Sequence, residues 1–179
     1  AAQYGGSEFA LAFGGNEMPG YHTGAGAHLG FLVGARHSHL DNAGYALDQK
    51  ALGKGVTMTP AEMARQLVQE EAWRQVLSSL VICFFARGIY TPEIVSRSLA
   101  VSGLEIAPEA LQELGEAIWA EKYAFKLREG FCFEDLRIPR RILETASPSG
   151  QLSEEYMRAV LSEVQALLEA RIGEKATAA

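Results

Sequence analysis

Four histidines, His22, His28, His37 and His39, fall within 18 residues of one another in the first third of a 179-residue chain. Imidazole gains and loses a proton near neutral pH, so any one of them facing a substrate could act as a general acid or base. His37 and His39, two apart, cannot share a helix face but could converge from a loop or strand end, where a third histidine would complete a zinc-like set. No HExxH, CxxC or carboxylate at ligand spacing accompanies them. A metal site built from these four alone is therefore disfavoured against an acid–base role for one of them, and hydrogen-bonded structural histidines are the alternative. Cys83, inside the apolar run Leu80-Val81-Ile82-Cys83-Phe84-Phe85, reads by residue type as a small core residue with an inert thiol, and Cys132 between Phe131 and Phe133 reads the same way. Asp41 and Asp48 could form an acid–base pair or hold a cation, but their spacing matches no calcium loop, and solvated loop acids are the simpler reading. Gly24-Ala25-Gly26-Ala27-His28-Leu29-Gly30 echoes a dinucleotide loop without the preceding strand or the acid some 20 positions on. It reads instead as a place where a helix approaches another backbone or a bulky ligand closely.

The elements that must position these groups are helical. Twelve of the 18 glycines lie between Gly5 and Gly55, which predicts a loop-rich first third with a short helix, residues 1–58. From there to residue 179 the pattern predicts a helical bundle in the same unit. Thr59-Pro60-Ala61-Glu62 sets an N-cap, a first-turn proline and a capping-box glutamate. The helix it opens carries Met63, Leu67 and Val68, and continues or restarts at Trp73 to carry Val76, Leu77, Leu80 and Val81. Thr91-Pro92-Glu93 repeats the device, with Gly103 as the stop. A third helix is expected from Pro108 to about Leu127, with Leu111, Leu114, Ile118 and Trp119 on one side, then irregular chain from Arg128 to Gly150. Ser153 caps a last helix whose stripe runs from Tyr156 to Ile172, closed by Gly173 and followed by a frayed tail. Phe9 to Phe13 and Gly130 to Phe133 are the only candidate strands. The fold class is all-α, an irregular helical domain with a glycine-rich N-terminal segment.

Composition narrows the function classes. Apolar residues make up 48% of the chain, enough for a real core, so a disulfide scaffold is excluded. The formal charge is −6 without a basic cluster, which argues against nucleic acid as a partner. The longest apolar run, from Val76 to Phe85, is about half of what a bilayer needs. Two cysteines and no secretory leader suit reduced thiols in a cytoplasmic setting, and a start without Met suggests a chain beginning inside something larger.

Several stretches taken together resemble one family. Glu17-Met18-Pro19-Gly20-Tyr21, a glycine-rich helix start ending in His39-Leu40, and Leu80-Val81-Ile82-Cys83-Phe84 occur in the order found in the C-terminal part of the tungsten-dependent aldehyde:ferredoxin oxidoreductases. Leu114-Gly115-Glu116-Ala117-Ile118-Trp119, then Phe125-Lys126-Leu127-Arg128-Glu129-Gly130-Phe131 with Asp135, Ile138 and Pro139, is similar to that family's closing helix and the segment after it. The resemblance implies aldehyde oxidation to a carboxylic acid at tungsten, or molybdenum, held by two pterins, with electrons leaving through a 4Fe-4S cluster to ferredoxin. It implies that the pterin-binding N-terminal domain is missing here, that the chain alone is inactive, and that Cys83 is one cluster ligand beside three supplied from a segment upstream of this chain. His39 would be a proton-transferring or substrate-orienting residue, with His37 the runner-up, and Ser78 and Ile82 would lie against the pterin. Where the family usually carries an Asp and a Gly ahead of the cluster cysteine, this chain has Ser78 and Val81; it has His22-Thr23-Gly24 for Asp-Pro-Arg, and Ala35-Arg36-His37 where an Arg-Gly pair is usual. An apolar surface around Cys83, exposed without the partner domain, would favour self-association. A free-standing helical interaction module without redox activity is the competing reading, and a small metal hydrolase built on the histidines a third.

Overall fold

A computed structural model describes residues 1, 3–13 and 16–178, with residues 174–178 as backbone alone. It is mostly helical, as the capping signals predict. Two strands, β1 (Ala12–Phe13) and β2 (Asn16–Glu17), pair antiparallel, Ala12 opposite Glu17 and Phe13 opposite Asn16. Then follow α1 (Ala25–Val33), α2 (Gly44–Lys54), α3 (Pro60–Ser79), a 3-10 turn at Phe84–Ala86, α4 (Pro92–Val101), α5 (Pro108–Arg128), α6 (Arg140–Glu144) and α7 (Glu154–Ala178). Among the described residues no helix is long and apolar enough to cross a membrane.

The starts follow the sequence chemistry. At α3 the Thr59 hydroxyl accepts from the Glu62 amide while the Glu62 carboxylate accepts from the Thr59 amide, and at α4 Thr91 accepts from the Ile94 amide. Gly103 stops α4 as expected, left-handed just after the cap at Ser102, but two other stops differ. Helix α3 continues unbroken past Trp73 but ends at Ser79, leaving Leu80 as its cap and Val81 outside it. Helix α7 does not close at Gly173 and runs on to Ala178, since a single glycine weakens a helix without ending it. The first third holds two helices, the stretch 128–150 contains α6, and of the two candidate strands only Ala12–Phe13 pairs; Gly130–Phe133 does not.

A large apolar cluster gathers Leu29 and Leu32 of α1, Met63 and Leu67 of α3, Trp119 and Tyr123 of α5, and Met157, Val160, Val164 and Leu168 of α7. A smaller one joins Val76 and Leu77 of α3, Val95 of α4 and Leu111 of α5, with Ile82 and Phe84 packed against it. Leu114, expected on the same face of α5 as Leu111, is exposed. Helices α3 and α5 belong to both clusters and cross closely: a Cβ on Gly115 would sit 2.1 Å from the Ala72 carbonyl oxygen. Helices α1 and α2 cross as tightly at Gly44, where a Cβ would lie 1.8 Å from the Gly26 carbonyl oxygen. The glycine-rich start therefore serves close backbone approach, as the sequence suggested.

Candidate functional site

The loop from Gly34 to Ala43, between α1 and α2, carries His37 and His39, and buried polar groups fasten it from beneath. Glu71, on α3 and 1% exposed, accepts from the Ala35 amide (2.8 Å) and from Asn42 Nδ2 (3.2 Å). Asn42 Nδ2 also donates to the Gly30 carbonyl at 3.0 Å, and its Oδ1 accepts from the Gly44 amide. Asp41 accepts from the amides of Arg36 (2.9 Å) and Ser38 (3.2 Å) and from the Arg36 guanidinium. Tyr123 OH donates to the Val33 carbonyl where α1 ends. Burial and the charge of Asp41 push the Glu71 carboxyl up to about 8. Asp41 and Asp48 are thus not solvated loop acids. Asp48 reaches from α2 to accept from the Gly26 and Ala27 amides (both 2.8 Å) and from Thr23 Oγ1, giving α1 the N-terminal partner that Gly24 lacks.

The four histidines separate into two pairs with different fates. His28 is fully buried; its Nδ1 meets Met18 Sδ at 3.1 Å, its Nε2 meets His22 Nδ1 at 2.8 Å, and His22 Nε2 donates to the Thr145 carbonyl at 2.9 Å. All four ring nitrogens are engaged, and burial together with His22 lowers the His28 pKa to about 4. Among the described residues no group of three or more His, Cys, Asp or Glu could hold a metal ion, so the zinc-like set is not assembled.

His37 and His39 differ more than their spacing suggests. His37 sits at φ 51°, its Nδ1 against the Phe31 carbonyl (3.3 Å) and its Nε2 against Lys126 Nζ (3.2 Å). A carbonyl only accepts and an ammonium only donates, so His37 is a neutral Nδ1–H tautomer with no free lone pair. Burial and the Lys126 charge lower its pKa, and burial brings Lys126 itself down to about 8. His39 is half-buried and makes no hydrogen bond among the described residues; its ring stands edge-on to Tyr21 at 5.5 Å, and Tyr21 stacks on Tyr45 at 4.8 Å. It lines an open depression of about 590 Å³ with Glu17, Met18 and Phe31. Of the four imidazoles, only His39 has neither ring nitrogen in a hydrogen bond among the described residues.

Cys83 is not a core residue. It is exposed, between Val81 (91% exposed) and Phe85 (99%), where the apolar run leaves α3 and turns. The turn is made by two hydrogen bonds, Ile82 N to Leu77 O (3.0 Å) and Val81 N to Ser78 O (3.1 Å), and Ile82 folds back into the small cluster with Leu77. That motif calls for a left-handed residue after the cap, and Val81 supplies it at φ 59°. Ser78 is exposed on the last turn of α3 and Ile82 half-buried. Cys132 is half-buried, its thiol donating to Glu134 at 2.6 Å, rather than enclosed in the core.

Glu71, Asn42, Lys126 and Arg74 were not singled out from the sequence. A signal existed: Glu71 falls on the face of α3 that also carries Ala64 and Leu67, where a charge must find partners.

The described residues thus present a half-buried imidazole at His39 and an exposed thiol at Cys83 on an all-helical domain. A family model described as aldehyde ferredoxin oxidoreductase, domains 2 and 3, matches residues 1–170. The chain belongs to that family and forms part of an aldehyde ferredoxin oxidoreductase-like enzyme. No curated protein and no solved structure matches it.

Proposed function

We propose that this chain is the cofactor-covering portion of a tungsten- or molybdenum-pterin enzyme that oxidises an aldehyde to a carboxylic acid and passes electrons through a 4Fe-4S cluster to ferredoxin. The observation that carries the reading is Cys83, an exposed thiol in an apolar surround in a chain of this family. A 4Fe-4S cluster takes four thiolates and the sequence has two cysteines, so Cys83 can serve such a cluster only together with thiolates from elsewhere. When bound, the metal–pterin centre and the cluster would supply the two-electron and one-electron chemistry respectively. Conversion of RCHO and water to RCOOH releases two electrons and two protons. His39, with an unoccupied imidazole in an open depression, takes up one of those protons. His37, locked between Phe31 and Lys126, holds the loop in shape. Ser78 offers a hydroxyl to the pterin, and Ile82 sets the turn that presents Cys83. The three other thiolates come from a segment upstream of this chain and most of the pterin cradle from an N-terminal domain, and the isolated chain is inactive. Self-association through Val81 and Phe85, and a cytoplasmic setting, belong to the same reading.

In the loaded parent enzyme, His39→Asn should keep metal and cluster content while lowering turnover roughly 10²- to 10⁴-fold, and His37→Asn should do much less. Equal turnover in the His39 variant, or a larger loss at His37, would show the role to be misplaced. Cys83→Ser should abolish the cluster's EPR signal. The exposed apolar surface also suits an interaction module without redox work; a parent purified without oxygen and lacking iron, sulfide and tungsten or molybdenum would favour it.

A further inference from the structure

Arg74 lies on α3 and is 2% exposed. Its Nε donates to Glu70 at 2.8 Å, and its Nη1 donates to the Leu40 carbonyl at 2.9 Å. Its guanidinium carbon stands 5.2 Å from the centroid of the Phe84 ring, within cation–π range. The buried Nη2 has no partner among the described residues. Leu40 directly follows His39, and Phe84 directly follows Cys83. A buried guanidinium with one unmatched nitrogen is an unfavourable way to fill a helix position, and an apolar side chain of similar length would pack there without that cost. Its partner Glu70 is 37% exposed, so the ion pair gives little reason to bury the cation. What the planar group does that an apolar chain could not is hold the Leu40 carbonyl with its edge while facing the Phe84 ring.

We infer that Arg74 is a positioning residue that fixes the His39 loop and the Cys83 loop relative to each other. The inference rests on the reading of His39 and Cys83 as site residues. Each loop has its own internal supports, the carboxylates of Asp41 and Glu71 for one and the turn at Val81 for the other. Arg74 touches both.

The test needs no cofactor and uses the whole chain in a Cys132→Ser background, so that Cys83 is the single thiol. The rate of its reaction with a disulfide reagent reports on one loop, and the NMR signals of the His39 imidazole report on the other. Arg74→Met should change the thiol rate by about threefold or more and shift the His39 signals, with a urea midpoint equal to or above that of the parent sequence. Arg74→Lys, which keeps the charge but loses the fork, should recover part of both, and Glu70→Gln should leave both unchanged. Wild-type readouts in folded Arg74→Met, a response of one loop alone, or the same response from Glu70→Gln would overturn the inference. Should the Met variant not fold, Arg74→Lys decides: unchanged readouts overturn the assignment and joint changes support it. A parent enzyme free of metal and cluster would defeat the proposed function without altering these readouts, so the two failures are distinguishable.

Discussion

Replacing Val81 by glycine should stabilise the protein, although it deletes an apolar side chain. Val81 follows the cap of α3 in the left-handed region at φ 59°, held there by its own amide on Ser78 O and by Ile82 N on Leu77 O. An L-residue in that region costs about 1–2 kcal/mol, and β-branching places valine toward the upper end. Glycine removes this strain but adds freedom to the unfolded chain worth roughly 0.5–1 kcal/mol. The side chain is 91% exposed, so almost no burial is lost. The balance favours Val81→Gly by about 1 kcal/mol, which for a chain of this length raises the melting temperature by roughly 2–4 °C. Val81→Ala keeps a Cβ in the left-handed region and should gain only a few tenths of that. Urea titrations of the three proteins with a common m-value decide the matter. A glycine variant no more stable than wild type, or an alanine variant equally improved, would refute the strain argument and with it the account of how Cys83 is turned outward.

Stability should depend on pH through two buried groups acting in opposite directions. Glu71, raised from its ordinary 4.5 to about 8, holds in the fold a proton that the unfolded chain releases. Its contribution is complete below pH 4.5 and is lost as pH climbs through about 8. His28, lowered from 6.5 to about 4, acts oppositely: its contribution is complete above pH 6.5 and is lost as pH falls toward 4, on the order of 3 kcal/mol at the limit. The two slopes offset each other between about pH 4.5 and 6.5, so urea midpoints between pH 4 and 9 should fall mainly above 6.5; Glu71→Gln should remove that fall and uncover the His28 loss toward pH 4, and a wild-type profile flat above 6.5 would contradict the Glu71 burial. Two glycines of α2 should respond oppositely to alanine. Gly44→Ala should cost about 3 kcal/mol or more, because its Cβ would lie 1.8 Å from the Gly26 carbonyl. Gly53→Ala, with nothing within 4 Å, should gain up to about 1 kcal/mol, read in the same titration.

Local chemistry alone settled where α3 and α4 begin. Thr59, Thr91 and the first-turn prolines act over three or four residues, so their effect is legible in any context. The resemblance in the blocks around Glu17, His39, Cys83 and Phe131 likewise needed no coordinates, and the family match covers the same stretch. Gly103, left-handed at φ 83°, stops α4 where the sequence put it, but the stops of α3 and α7 were not legible, because such an end depends on what its last residues pack against. Leu80 and Val81 fit the apolar stripe of α3, yet Ile82 closes onto Leu77 in the small cluster and forces the left-handed turn before it. The site shows the same division. Sequence could name His37 and His39 but not rank them by environment; the neutral, fully engaged state of His37 depends on Phe31 and on Lys126, 89 positions away. Asp41, Asp48 and Arg74 look like surface charges along the chain, and only the placing of Glu71 beside Ala64 and Leu67 on α3 hints otherwise. They are buried because each meets backbone groups brought from other elements, and a charge can leave water only when such partners are already in place.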